Sequence, residues 1–396
     1  MPSGPPRVAV DAAILERVDE LAARWREAAS EVDRSARFPA EHVDAIRAAG
    51  LFGLAVPPAM GGAGVGLAGA CEVLRRVARG DGGTALGLAM HLVVTGSVAA
   101  GGEEWPAAVW ERVARAAARG EVILNRVASE AQGGSPARGG MPRTVLVAGH
   151  GGWVLTGRKD WATWAPALTH ALVTARIDGG GGGGMRLAQA LVPLGLPGVS
   201  RLEARGAIGL RSAANGSLVF DGVRLARDAV LWERAAGEQG SGRNPLVLAW
   251  FRLCTTAVYV GIAEAARDAV ALYTRGRRPN DRAEPISAIP AVQLRLGRMA
   301  SDSRAAWLLV RSAAEGVDAE GGGEEDSAEE VAVAKVHATR LAWGVCEQAL
   351  RLAGGGALQG DGLPLERLAR DVRGGLVHPP TEDTLHLELG GGLASV

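Results

Sequence analysis

The order of periodicities along the chain constrains its fold more than any other feature: helical spacing, then short strand-like runs, then helical spacing again. From Val10 to Ala118 apolar residues recur at three- and four-residue intervals, with breaks at Phe38-Pro39, Pro57-Pro58 and Gly61-Gly62. From about Val122 to Leu231, runs such as Val145-Leu146-Val147, Trp153-Val154-Leu155, Ala171-Leu172-Val173 and Leu218-Val219-Phe220 are separated by glycine-rich turns and read as strands. His150-Gly151-Gly152 is a hairpin signal between the first two, and the glycines from Gly179 to Gly184 mark a surface connection. After Asn244 the helical period returns, with Val331, Ala334, Ala338, Leu341, Val345, Ala349 and Leu352 on one face. The acidic stretch 319–330 reads as a solvated loop between two such helices.

Helical layers on both sides of a β-insert exclude a doubly wound nucleotide fold, in which strands and helices alternate throughout. The expected fold is α+β and mainly α: an N-terminal α-helical domain over 1–120, a central small β-barrel domain over 121–235 and a C-terminal four-helix bundle over 236–396. Gly62, Gly64 and Gly66 follow Pro57-Pro58 rather than a strand, and no Gly-Lys-Ser/Thr follows, so they read as an interhelical loop and not a phosphate loop.

Charge narrows the partners. With 43 basic and 43 acidic residues the formal net charge is zero, so no global field favours nucleic acid or an anionic membrane. Lys159 and Lys335 are the only lysines among the 43 basic residues, and with 57 glycines this bias reads as genome composition. Cys71, Cys254 and Cys346 lie far apart in apolar helical context, as buried thiols of a reducing compartment do. The histidines have no ligand spacing, so no metal is expected. No secretory signal pattern and no run long enough to span a bilayer is read from the sequence, and the expected location is cytoplasmic.

Ordered segments across most of the chain resemble the acyl-CoA dehydrogenase superfamily of flavoproteins. Phe38-Pro39, Ala49-Gly50-Leu51-Phe52-Gly53, Val56-Pro57, Gly61-Gly62 and Ala78-Arg79-Gly80-Asp81 are similar to its helical N-terminal domain. Ser129-Glu130-Ala131-Gln132-Gly133-Gly134-Ser135 occupies the place of the family's Thr-Glu-Pro-Gly-x-Gly-Ser. The resemblance implies that Ser129 faces the flavin pyrimidine and that Gly134 and Ser135 serve the pyrophosphate. Gly157-Arg158-Lys159-Asp160-Trp161-Ala162-Thr163 resembles Gly-x-Lys-x-Trp-Ile-Thr, which implies an indole on the flavin face, Trp161, and a hydroxyl near the redox edge, Thr163.

Gly209-Leu210-Arg211-Ser212 is similar to Gly-x-Arg-x-Ser, and Arg211 is a candidate for the substrate channel or a surface ion pair. Arg351-Leu352-Ala353-Gly354-Gly355 stands where the family has Gln-Ile-Phe-Gly-Gly. Its resemblance implies that Arg351, Gly354 and Gly355 reach the adenylate of FAD across a subunit interface, in a homodimer or homotetramer.

The resemblance breaks at the catalytic base. Abstraction of a thioester α-proton needs a base within hydrogen-bond reach. Counting from Arg370-Asp371 places Pro379 where most relatives have glutamate, with Thr381 retaining the family threonine on the cofactor side. Phe251 stands where a minority carry the glutamate on an earlier helix. Glu382 or Asp383 is a candidate displaced base for an acyl-CoA or carrier-bound acyl substrate, with an electron-transfer flavoprotein as acceptor. Alternatively, Val377-His378-Pro379 is similar to the reduced-flavin monooxygenase branch, in which a histidine serves the oxygen-bearing flavin. His378 then takes that role, with FMN as an alternative cofactor and a flavin reductase as partner. His91 matches a histidine near the active site of that branch and is a candidate substrate contact, or a core residue. A non-catalytic homologue is the third alternative.

Overall fold

Local signals set the N-terminal helices of the computed structural model, which describes residues 8–132, 140–177, 185–203, 206–235, 244–320, 325–359 and 362–394. Helix α1 (Ala12–Ser35) opens at Asp11, whose carboxylate accepts the Ala13 N–H, and α2 (Ala40–Ala48) follows Pro39. Helices α3 (Leu67–Ala78), α4 (Gly82–Ala99) and α5 (Ala107–Ala118) complete this part. Asp81 caps α4 by accepting the Thr84 N–H at 2.7 Å.

Strands β1 (Leu124–Val127), β2 (Val145–Gly149), β3 (Gly152–Ala162), β4 (His170–Ile177), β5 (Arg186–Pro193), β6 (Val199–Glu203), β7 (Gly216–Ala226) and β8 (Val230–Ala235) build one mixed sheet. Its order is β6-β7-β3-β2-β4-β5-β8, and β1 runs parallel to β4. Among the described residues β6 and β8 are not paired with each other, so the expected small barrel is a sheet with two ends. The predicted hairpin is present, with Gly149 opposite Gly152 and Gly151 at φ 81° between them.

Three long helices, α6 (Pro245–Gly276), α7 (Pro290–Glu320) and α8 (Glu325–Ala353), pack on one another, and α3 and α4 pack on α6. The short α9 (Leu365–Asp371), α10 (Gly374–Val377) and α11 (Glu382–Ala394) complete the bundle, with α11 held on α8 through buried Leu385 against Ala332 and Val336.

Two expectations need correction. The loop anticipated over 319–330 is helical at both ends, since α7 runs to Glu320 and α8 starts at Glu325. Acidic residues suit the first turn of a helix, where they meet the positive end of its dipole. Two helices, α4 and α6, are long and apolar enough to cross a membrane, contrary to the sequence reading; their most apolar windows are 94% and 89% buried within the protein. A helix apolar on all sides is what a core position requires. Packing is tight there: a Cβ on Gly87 of α4 would stand 1.9 Å from the Trp164 ring, and one on Gly96 would stand 2.2 Å from Trp250.

Candidate functional site

A bulge in β3 creates the most exposed aromatic feature of the sheet. Lys159 pairs with Leu218 and Ala162 with Gly216, so three steps on β3 match two on β7, and Trp161 takes φ 57°. The indole is left 63% exposed. A non-glycine residue in the left-handed region costs about 1–2 kcal/mol, and here no burial of the side chain offsets it. Next to it Thr163 is buried, and its carbonyl accepts the Asn125 amide at 3.1 Å from β1. Ser129, exposed at the end of β1, accepts the Asp160 N–H at 2.9 Å.

Glu130 and Lys159 anchor this corner from beneath. The Lys159 ammonium, fully buried, lies 2.7 Å from Glu130 Oε1 and 3.3 Å from the Ala128 carbonyl. Glu130 also accepts the N–H groups of Arg143 and Thr144 and the Thr144 hydroxyl. Burial opposes the charge on both partners and lowers the Lys159 pKa; Glu130 is nevertheless held below the usual carboxylate range by Lys159 and the Arg143 and Thr144 donors. Asp160 Oδ2 accepts the Ala131 N–H, and Ser217 donates to Asp160 Oδ1. Sequence reasoning named the wrapping segment but missed the Glu130–Lys159 pair that fixes it.

The bundle supplies a second cluster. Phe251 of α6 and His378, just past α10, meet edge to face with ring centroids 6.2 Å apart. Phe251 stands at one of the two positions at which the family resemblance seeks a carboxylate, His378 directly precedes the other, Pro379, and neither position carries one. The Tyr259 hydroxyl lies 2.6 Å from His378 Nδ1. Tyr259 is fully buried, and burial, then the Asp371 charge, keeps the phenol protonated. Its O–H needs an acceptor, so Nδ1 carries the lone pair and the neutral ring its hydrogen on Nε2. Burial and then the Lys335 charge lower His378 to about 4, which keeps the ring neutral near pH 7. Tyr259 escaped sequence reasoning; its signal was a phenol in the middle of the apolar run Val258–Val260.

Segment 209–213 joins the two clusters. Ala213 accepts the Trp164 N–H at 2.8 Å, Leu210 donates its N–H to Asp371, and a Cβ on Gly374 would meet both Tyr259 and Leu210. Ser212 donates to Asp81 Oδ1 at 2.6 Å, and Arg370 binds Asp33 and the Ile208 carbonyl. Several motif residues are thus joints between the three parts.

Other expected site residues fall elsewhere. His91 is fully buried; its Nε2 bonds the Phe52 carbonyl at 2.9 Å and its Nδ1 accepts the Leu124 N–H at 3.1 Å. Both nitrogens are used and burial lowers its pKa to about 4, so it is a core histidine rather than a substrate contact. Arg211 binds the carbonyls of Ala207 and Asp33, which makes it part of the inter-domain joint and not of a substrate channel. Glu382 is held by Arg340, and Asp383 is exposed on the first turn of α11; neither is presented as a displaced base. The Thr381 hydroxyl pairs with that of Thr384 at 3.0 Å.

Arg351 is exposed beside Glu347, and Gly354 and Gly355 are open to solvent at the end of α8, where their main packing partners among the described residues are α8 and α9. Gly134 and Ser135 lie outside the described residues.

Helices, a mixed sheet and a helical bundle, with an indole presented on a bulged strand over a buried ion pair, define a flavoprotein of the acyl-CoA dehydrogenase-like fold. The family models agree: the acyl-CoA dehydrogenase N-terminal domain matches residues 11–118, the middle domain 126–223 and the C-terminal domain 253–382. YdbM of Bacillus subtilis strain 168, provisionally named an acyl-CoA dehydrogenase, is 34% identical over 94% of each chain. L-evernosamine nitrososynthase of a Micromonospora species is 31% identical over 89% of this chain and 82% of its own.

Among solved structures, KijD3 in complex with FMN and dTDP-3-amino-2,3,6-trideoxy-4-keto-3-methyl-D-glucose superposes with a TM-score of 0.82 at 30% identity, covering 98% of this chain and 95% of that one. The chain belongs to the acyl-CoA dehydrogenase superfamily of flavin-dependent oxidoreductases. The exposed Trp161 indole fits a flat, partly apolar ring system of this kind.

Proposed function

We propose that the protein is a reduced-flavin-dependent monooxygenase that places one oxygen atom of dioxygen on a nucleophilic centre of a small molecule, an amine foremost. The observation that carries this is the Phe251–His378 contact at 6.2 Å: Phe251 and Pro379, the residue after His378, stand where a dehydrogenase would keep its proton-abstracting carboxylate. With Tyr259 on Nδ1, the imidazole presents an N–H donor at Nε2. A donor stabilises negative charge developing on oxygen and cannot accept a carbon-bound proton. The similarity to a nitrososynthase and to KijD3, solved with an amino-sugar nucleotide, supports an amine nitrogen as the oxidised centre.

A bound flavin would supply the two electrons and the reactivity toward dioxygen. Ser129, Trp161 and Thr163 would hold its ring, with Gly134 and Ser135 on the phosphates. FAD gives Arg351, Gly354 and Gly355 a role as adenylate contacts from a second copy in a homodimer or homotetramer, whereas FMN, present with KijD3, leaves them without one. A flavin reductase is then the partner.

Dehydrogenation of an acyl-CoA, with an electron-transfer flavoprotein as acceptor, is the second reading, favoured by the 34% identity to YdbM. Purified protein is assayed with FMN or FAD, a flavin reductase, NAD(P)H and a panel of amines that includes nucleotide amino sugars. Substrate-dependent oxygen uptake matched by oxygenated product is expected, and His378→Ala should uncouple the two. Anaerobic bleaching of bound FAD by an acyl-CoA would overturn the oxygenase assignment.

A further inference from the structure

Only two positively charged side chains in this chain are lysines, against a background of 41 arginines, and both are buried. Lys159 has Glu130. Lys335, on α8 and 2% exposed, has no carboxylate partner among the described residues. Its Nζ donates to the Gly375 carbonyl of α10 at 3.1 Å. Three residues on, His378 closes that same turn through its own N–H on the Gly374 carbonyl at 2.9 Å. Lys335 borders a cavity of about 10 Å³ shared with Thr339, Gly375, Pro380 and Glu382. That is room for about one water beside the ammonium.

We propose that Lys335 is a positioning residue for His378: its ammonium ties to the bundle, through the Gly375 carbonyl, the α10 turn that His378 closes on Gly374. The inference rests on His378 belonging to the site. Charged and titratable groups on every neighbouring element fit this role. From α6, Arg252 adds a second positive charge but is bound to Glu388 of α11 at 2.9 Å, and Tyr259 stays a neutral phenol. From α11, Glu382 is neutralised by Arg340 of α8. From α9, Asp371 is engaged by Arg367 and the Leu210 N–H. Burial, then Arg252, lowers Lys335 to about 8, so near neutral pH the α10 turn holds an ammonium with no carboxylate partner among the described residues.

The test needs no activity. With two lysines, selective ¹³Cε-lysine labelling of the full chain yields two resonances, assigned by Lys159→Arg; ring-labelled histidine, assigned by His378→Gln, is followed in the same titration. The Lys335 signal should titrate near pH 8, and the His378 ring signal should move at the same pH. In Lys335→Met the acid titration of His378 should shift upward by about half a pH unit or more. A His378 signal that is silent where Lys335 titrates overturns the proposal, and this outcome in the unmodified chain is decisive even where Lys335→Met does not fold. A negative oxygen-coupling assay leaves the titration readable, so the two ideas fail separately.

Discussion

Replacing Lys159 with methionine tests whether the Trp161 corner, proposed above to hold the flavin ring, is fixed by its buried ion pair. The ammonium is fully buried and 2.7 Å from Glu130, whose side chain is 7% exposed. Removing one partner of a buried pair costs about 3–5 kcal/mol because the other charge is left uncompensated. Glu130 would keep three donors, the Arg143 N–H at 2.7 Å, the Thr144 N–H at 3.1 Å and the Thr144 hydroxyl at 2.7 Å, so the lower end, about 3 kcal/mol, applies.

With roughly 2 cal/mol/K of unfolding entropy per residue, a cooperative melt of the whole chain would fall by about 4 °C. A melt confined to the sheet domain would fall further, since the same loss is spread over fewer residues. Circular dichroism melts at fixed protein concentration read the stability, and flavin titration reads the corner. Lys159→Met should weaken flavin binding as well as lower Tm, and adding Glu130→Gln should recover part of the Tm by removing the orphaned charge. An unchanged Tm and flavin affinity, or a double variant no better than the single, would refute the reasoning.

Acid should destabilise the fold between about pH 6.5 and 4. His91 and His378 are lowered to about 4 in the folded chain, whereas an unfolded histidine titrates near 6.5. The unfolded state therefore binds more protons in that window, and each histidine removes up to about 3 kcal/mol as pH falls through it. Asp371, raised to about 6 by burial, acts with the opposite sign and offsets only part of this. Urea midpoints from pH 8 to 4 should fall, and less steeply in His91→Gln; a flat profile would refute the assignment of both rings as neutral.

Glu382→Gln and Asp383→Asn should change turnover less than about twofold, because one side chain is held by Arg340 and the other faces solvent; loss of flavin reduction in either would restore the displaced base. Gly87→Ala should impair folding outright, since its Cβ would sit 1.9 Å from the Trp164 ring in a core with no room to shift. Soluble yield and melting read it, and a normal melt would show that α4 is not packed against that ring.

The layers were legible because periodicity reports which face of an element is buried, and the stripe from Val331 to Leu352 is indeed the packed face of α8. At the corner, the Asp160 N–H bonds Ser129 and the Asn125 amide bonds Thr163, which puts these two residues named from the sequence beside Trp161. What escaped was long-range. Nothing local distinguishes His91 in a core from His91 in a pocket; that depends on Phe52 and Leu124, 39 and 33 residues away, taking both of its nitrogens. Tyr259 and His378 are 119 residues apart, and their hydrogen bond exists only because α6 and α10 share a bundle. The membrane test misfired in the same way: α4 is as apolar as a spanning segment because protein, not lipid, surrounds it.

The two base positions illustrate how such pairs should be read. Considered singly, Phe251 or Pro379 is a lost carboxylate that the other position might replace. Considered together, Phe251 lies against the ring of His378, the residue before Pro379, and Tyr259 is bonded to that ring, so an apolar and hydrogen-bonded cluster stands where the carboxylate is sought. A glutamate at 251 would place its charge beside a neutral imidazole already committed to Tyr259. Of the cations near this cluster, Arg252 is already bound to Glu388 and Lys335 to the Gly375 carbonyl. Phe251→Glu therefore separates the chemistries. Acquisition of anaerobic acyl-CoA bleaching would mean the scaffold lacks only the base, whereas failure despite intact flavin binding would mean the His378 cluster has been built for another reaction.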